Sequence, residues 1–216
     1  MWMFKPEPKM VAAEDALPGR SEPVLDPAPH AVLNTPITGP WKDGQKSILI
    51  ALGCFWGAEK MFWETDGVES TSVGYAGGTT PNPTYYEVCR GQTNHAETVE
   101  VTYNPEKISL RELVVKALEA HDPTQGFRQG NDVGTQYRSA FYPRTEEERE
   151  EIQAIVDSYA DKLKEFGFGE TTTEVKRLAD TDSGEYYLAE DEHQQYLHKV
   201  PNGYCPHHST GVACGI

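Results

Sequence analysis

The apolar residues of this chain change their spacing several times, and each change marks an element. Ile48-Leu49-Ile50-Ala51-Leu52 is a short continuous run, which predicts a buried strand over 47–52. Phe55, Ala58 and Phe62 then recur at helical spacing and predict a helix over 55–66, stopped by Gly67. Alternation returns over 68–75, where Val73 and Tyr75 sit between polar neighbours, and a glycine- and proline-rich loop, 77–83, follows. A strand over 96–103 puts Glu97, Val99, Val101 and Tyr103 on one face and Thr98, Glu100 and Thr102 on the other; Asn104-Pro105 ends it. Ser109 and Glu112 form a capping box ahead of the stripe Leu110, Leu113, Val114, Ala117 and Leu118, which His121-Asp122-Pro123 stops. After a loop through Gly126, Gly130 and Gly134 comes a strand over 139–142. Thr145 and Glu148 then repeat the capping box. The long helix they start carries Ile152, Ile155, Val156, Tyr159, Leu163 and Phe166, with Gly167 past its end. A strand over 172–177 and a helix over 185–197 precede an irregular tail.

The core order β-α-β-β-α-β predicts an α+β fold, a two-layer sandwich whose mixed sheet has a split βαβ (ferredoxin-like) core. Residues 1–44 are rich in Pro, Ala and Glu without a sustained period and read as an extended N-terminal arm. Residues 45–200 form the α/β domain and 201–216 a mobile tail, with no internal repeat.

Composition narrows the class. A chain of 216 residues fits one globular domain with decoration, and 38% hydrophobic with 10% aromatic residues argue against disorder. No stretch approaches the roughly 18 apolar residues that span a bilayer. The start, Met-Trp-Met-Phe-Lys-Pro-Glu-Pro, lacks the apolar core of a secretory signal, so the cytoplasm is the expected location. With 19 basic against 34 acidic side chains the net charge is −15, which disfavours nucleic acid or an anionic membrane as partner. The acids of Glu146-Glu147-Glu148 to Glu151 and of Glu190-Asp191-Glu192 read as solvated helix faces. Four cysteines are few for a disulfide scaffold of this length; in a reducing compartment they read as redox-active, metal-binding or buried.

Cys54 stands out among them. It falls at a strand-to-helix turn between Gly53 and the Phe55-Trp56-Gly57-Ala58 start of the helix. Backbone N–H groups and the positive dipole end there favour a thiolate, so a lowered pKa and an attacking sulfur are expected. The two aromatics offer an apolar wall beside it. Glu97 shares a strand face with Val99, Val101 and Tyr103, and a carboxyl on an apolar face keeps its proton toward neutral pH. A nucleophile and an acid are thus both in hand.

Gly53-Cys54-Phe55-Trp56-Gly57 resembles the signature of the A-type peptide methionine sulfoxide reductases, and the likeness runs from about Ala13 to Cys214. The resemblance implies the same α+β fold and reduction of methionine S-sulfoxide, free or in proteins, with no metal or organic cofactor. In Gly91-Gln92-Thr93-Asn94-His95-Ala96-Glu97 the matching glutamate is the proton donor. Tyr85 and Tyr137 match the two tyrosines that hydrogen-bond the sulfoxide oxygen, and Asp132 matches a substrate-binding aspartate. Phe55 and Trp56 look like the wall around the substrate's S-methyl group. His193 lies in a stretch similar to one near the family's active site and takes a supporting role at most; Cys89 reads as structural.

Attack would leave Cys54 as a sulfenic acid, which condenses with a nearby thiol. Glycine and prolines around Cys205 suggest a tail able to bring that sulfur to Cys54, and Cys214, near the chain end, is expected to be flexible and accessible. Family members with both tail cysteines pass the disulfide on to a Cys205–Cys214 type pair, reduced by thioredoxin or a low-molecular-weight thiol. This would make 45–200 a catalytic domain and 201–216 a redox-active tail. A rival reading takes Cys205, His207, His208 and Cys214 as metal ligands, but their spacing is not a recognised zinc pattern. A thioredoxin-type oxidoreductase is disfavoured because the chain has no Cys-x-x-Cys.

Overall fold

The computed structural model describes residues 7–205 and 209–215. Its elements are β1 (Lys46–Leu52), α1 (Phe55–Trp63), β2 (Val68–Ala76), α2 (Tyr85–Cys89), β3 (Ala96–Tyr103), α3 (Leu110–Ala120), β4 (Arg128–Gln129), β5 (Asp132–Val133), β6 (Ser139–Tyr142), α4 (Glu146–Glu165), β7 (Glu174–Val175), β8 (Tyr187–Leu188) and α5 (Tyr196–Lys199). Six strands form one sheet in the order β7-β6-β1-β3-β2-β8, while β4 and β5 make a separate small hairpin. Neighbours in the large sheet run antiparallel except β6 and β7, which are parallel, so the fold is α+β with a mixed sheet. β3 lies between β1 and β2, the two strands that α1 connects.

The core divides by sheet face. Ile48, Ile50, Leu52, Val99, Val101 and Tyr103 pack against the apolar faces of α1, α3 and α4. On the other face Leu49, Ala51, Ala76, Ala96, Ala140 and Tyr142 meet Leu178 and Tyr186. That face is covered too, so Thr98, Glu100 and Thr102 are buried along with the apolar side of β3. Glu100 is satisfied there by the Ser47 hydroxyl at 2.9 Å and by Arg144 at 2.6 Å. The arm is pinned across the domain: the Leu17 amide donates to Gln92 O, Arg20 pairs with Glu87 at 2.8 Å, and Ile37 is buried.

Several elements differ from the sequence-based expectation, two through local capping and one through pairing with a distant strand edge. α1 ends at Trp63 rather than 66, where the Thr65 hydroxyl takes the Met61 carbonyl at 2.7 Å and the chain turns through Gly67 at φ +92°. Phe166 does not join the α4 stripe. It is the C-cap and 63% exposed, and the Schellman bonds Phe168 N to Leu163 O and Gly167 N to Lys164 O bring Phe168 onto the core instead. The helix expected over 185–197 is absent. β8 pairs with β2, with Gly74 opposite Leu188, and a Cβ on Gly74 would lie 2.2 Å from Tyr187 O. The Gln194 side chain then completes the β2 edge, accepting from Val73 N at 3.0 Å and donating to Val73 O at 2.7 Å. Pairing with an open strand edge outweighs local helix propensity here. Glu190, Asp191 and Glu192 accordingly lie in turns rather than on a solvated helix face. The strand expected over 172–177 shrinks to β7, and α2 was not anticipated.

Candidate active site

Cys54 is the N-cap of α1, directly after β1, and half-buried. The turn depends on Gly53, which has φ +102° and whose added Cβ would meet the Gln129 side chain at 2.8 Å. The lowered thiol pKa expected from this position is not what the site produces. Burial pushes the Cys54 thiol up, and the nearby charges of Glu97 and Asp132 act in the same direction. The Trp56 and Gly57 amides favour the thiolate but do not outweigh them. The resting sulfur is a thiol.

Glu97 sits at the start of β3, 1% exposed. Its Oε2 accepts from the Phe55 amide at 3.1 Å, which ties the carboxyl to the first turn of α1 beside Cys54. Its Oε1 is buried with no hydrogen-bond partner among the described residues. Burial pushes this carboxyl up to about 8, the Phe55 amide opposing and Asp132 adding to the rise. A buried oxygen aimed at nothing, on a carboxyl that keeps its proton at neutral pH, is a donor waiting for an acceptor.

Tyr85, Tyr137 and Asp132 converge on the same place. Burial raises both phenols, and the Glu97 charge acts on each; Tyr137 also feels Asp132 and Cys54. Tyr85 opens α2, whose capping box joins Thr84 and Glu87, and its amide donates to Glu190 at 2.8 Å. Tyr137 lies in a one-turn 3₁₀ segment following the β4–β5 hairpin that carries Asp132. One oxygen of Asp132 accepts from the Tyr204 hydroxyl at 2.9 Å, and the other is buried without a partner among the described residues.

The apolar wall is an aromatic stack. Phe55 and Tyr85 face each other at 6.4 Å between centroids, Trp56 and Tyr85 at 6.1 Å, and Tyr196 lies on Trp56 at 4.1 Å. His193 is buried inside this stack, 4.3 Å from the Tyr85 ring, rather than on a helix surface. Its Nδ1 accepts from the Trp56 indole N–H at 3.3 Å, which fixes the indole and calls for a neutral ring; burial lowers its pKa accordingly. The turn that carries it is clamped to α1 by buried Glu59, which accepts from the Gln195 amide at 2.8 Å and from Thr71 at 3.0 Å.

The other cysteines fall in unlike places. Cys89 ends α2, is exposed, and lies close enough to the Tyr85 phenol for each to shift the other's pKa, so it is a neighbour of the site rather than a buried structural thiol. Cys205 is exposed and feels the charge of Lys60 on α1. Cys214 is 1% exposed, contrary to the accessible thiol expected so near the chain end. Residues 209–215 lie on α3 and α4. Ser209 donates to Glu119 O at 2.7 Å, Tyr159 to Val212 O at 2.9 Å, and Lys162 to Cys214 O at 3.1 Å. Val212 and Cys214 join the main core there.

His207 and His208 lie outside the described residues, and among the described residues no group of three His, Cys, Asp or Glu side chains is placed to hold a metal ion. No described helix is long and apolar enough to cross a membrane. Sequence reasoning missed Glu59, Glu190, Tyr196 and Tyr204. The first three act through contacts between distant segments that no local motif marks, whereas Tyr204 adjoins Cys205 and was legible as a neighbour.

The family model described as peptide methionine sulfoxide reductase matches residues 46–213. A peptide methionine sulfoxide reductase MsrA of Corynebacterium efficiens is 67% identical over all of this chain and 98% of its own length. The solved methionine sulfoxide reductase A of Corynebacterium diphtheriae is 60% identical with a TM-score of 0.88, covering 97% of this chain and 99% of that one. Reduced Mxr1 of Saccharomyces cerevisiae is 36% identical with a TM-score of 0.69, covering 77% of this chain and 92% of that one. By sequence and by fold, then, the chain belongs to the peptide methionine sulfoxide reductase family and is an oxidoreductase that reduces methionine sulfoxide.

Proposed function

We propose that Cys54 is the nucleophile, Glu97 the acid, Tyr85 and Tyr137 the donors to the sulfoxide oxygen, and that the S-sulfoxide, free or in proteins, is the substrate. Phe55 and Trp56 hold the S-methyl group, and Asp132 accepts from the substrate's own N–H. The observation that carries this reading is the buried, unpartnered Oε1 of Glu97 beside the helix turn that starts at Cys54. Sulfoxide oxygen leaves only when protonated, and this carboxyl has a proton to give.

The proton balance follows from the raised thiol. As the Cys54 sulfur bonds to the sulfoxide sulfur, electron density shifts onto the sulfoxide oxygen and Glu97 protonates it. The emptied carboxylate takes the thiol proton. The hydroxyl then passes from the substrate sulfur to Cys54 as the transient S–S bond breaks, that bond's electron pair stays with the substrate sulfur, and methionine and Cys54–SOH result. Cys205–SH then condenses with the sulfenic acid to a disulfide and water. The Cys214 thiol attacks Cys205, forms the Cys205–Cys214 disulfide and releases reduced Cys54. Thioredoxin or a small thiol reduces the tail disulfide. In this reading 1–44 is an extended N-terminal arm, 45–200 the catalytic domain and 201–216 the redox tail, working in the reducing cytoplasm.

Single-turnover reduction of resolved sulfoxide epimers tests the assignment. The S epimer should yield methionine without added reductant, and Cys54→Ser should yield none. Stoichiometric methionine from Cys54→Ser, or equal yields from both epimers, would overturn it.

A further inference from the structure

Tyr204 stands directly before Cys205, and its hydroxyl donates to Asp132 at 2.9 Å. The approach is built. Gly203 N donates to Val200 O at 2.8 Å, closing a turn, and a Cβ on Gly203 would lie 2.5 Å from the Tyr196 ring that stacks on Trp56. The tail is therefore laid along the aromatic wall and tied at Tyr204, while 209–215 are tied separately on α3 and α4. We propose that Tyr204 is a positioning residue of the resolving step: its phenol holds Asp132 while the pocket is empty of substrate and seats Cys205 over Cys54.

The inference rests on the functional reading above, because it uses Asp132 as the substrate's N–H acceptor. In that role Asp132 has two claimants for one oxygen: Oδ2 is buried, so a substrate N–H is offered Oδ1, which the phenol already holds. A bound sulfoxide displaces the phenol and loosens the tail during attack at Cys54. Once methionine leaves, the phenol returns and brings Cys205 to the new sulfenic acid, so that Cys54–SOH and Cys205–SH give the disulfide and water. The phenol stays a donor through the neutral range, since burial and the Asp132 bond push it up to about 12. One hydrogen bond thus orders two steps that would otherwise compete for the pocket mouth.

Tyr204→Phe removes the hydroxyl and keeps the ring, on a side chain that is 48% exposed, so folding is not at stake. Two readouts are taken on the full chain: methionine release by rapid quench over a range of methionine S-sulfoxide concentrations, and, at saturating substrate, loss of trappable sulfenic acid as the Cys54–Cys205 disulfide forms. Disulfide formation should slow about three- to ten-fold, the loss expected for one partly exposed hydrogen bond to a carboxylate. The substrate concentration for half-maximal methionine release should fall, because a competitor for Asp132 is gone. A general loosening of the tail would not move these two readouts in opposite senses. In an Asp132→Ala background, Tyr204→Phe should change neither further. Unchanged disulfide formation, additive effects with Asp132→Ala, or a raised half-saturation would overturn the proposal and leave the functional reading intact. Absence of methionine and sulfenic acid in the unmutated protein would remove that reading itself, and this inference with it.

Discussion

Glu97→Gln separates the two properties that the site asks of this carboxyl. An ordinary glutamate titrates at 4.5, and burial pushes Glu97 up to about 8. Below 4.5 the folded and unfolded chains both carry the proton, and stability does not depend on this group. Between 4.5 and 8 the folded state keeps a proton that the unfolded state loses, so rising pH favours unfolding. From 4.5 to pH 7 this amounts to about 3 kcal/mol, and it levels off at about 5 kcal/mol above 8. The amide that replaces the carboxyl does not titrate. The stability of the variant relative to the parent should therefore climb by about 3 kcal/mol between pH 4.5 and pH 7, whatever constant offset the new amide brings. Urea unfolding of both proteins across that range measures it, and titrating groups that are not coupled to Glu97 cancel in the difference. Activity should move the opposite way. Single-turnover methionine formation in the parent should fall about ten-fold per pH unit above about 8, while the variant runs on the order of 10² slower and flat across this range. Parallel stability profiles would show that Glu97 is ionised in the fold, and an unchanged turnover rate would remove it from the chemistry.

Two further perturbations probe the sulfurs. Because burial raises the Cys54 thiol, its alkylation by iodoacetamide should be slow at pH 7 and quicken about ten-fold per pH unit through pH 9, read by peptide mass spectrometry; a plateau below pH 8 would mean a preformed thiolate. Tyr159→Phe removes the hydroxyl bonded to Thr210 and Val212, so Cys214 should label several-fold faster relative to Cys89, and equal labelling would mean that these bonds do not hold the tail down.

How far the sequence reveals this molecule depends on how local the cause is. The capping boxes at Ser109 and Thr145 and the alternation of 96–103 act within a few residues, and the corresponding elements stand where the pattern put them. Glu97 could be singled out because its neighbours on the strand are apolar, and its burial follows from that alternation. The 185–197 segment was misread because its conformation is set by the open edge of β2, more than a hundred residues away, which Gln194 and β8 complete. Cys214 was misread for a related reason. A chain end rich in small residues reads as mobile, yet the groove between α3 and α4 offers Tyr159, Lys162 and Glu119 as ready partners for its backbone. The error over Cys54 is one of magnitude: the helix-end effect was correctly identified, but desolvation and two carboxyls outweigh it.

That last inversion bears on how the site avoids wasted chemistry. A standing thiolate at the pocket mouth would react with any electrophile that arrived, whether alkylating agent or peroxide. With protons on both Cys54 and Glu97, the sulfur becomes nucleophilic only when something takes the proton from the carboxyl. On the proposed reading, a sulfoxide oxygen seated against Tyr85, Tyr137 and Glu97 can do so, and methionine itself, which lacks that oxygen, cannot. The same burial that raises both groups therefore couples attack to the presence of the bond to be broken. On the proposed reading, selectivity for a sulfoxide over other electrophiles then comes from proton accounting as well as from fit. It should accordingly weaken in any variant that lets water reach Oε1 of Glu97, since hydration would lower the carboxyl's pKa and release its proton without a substrate.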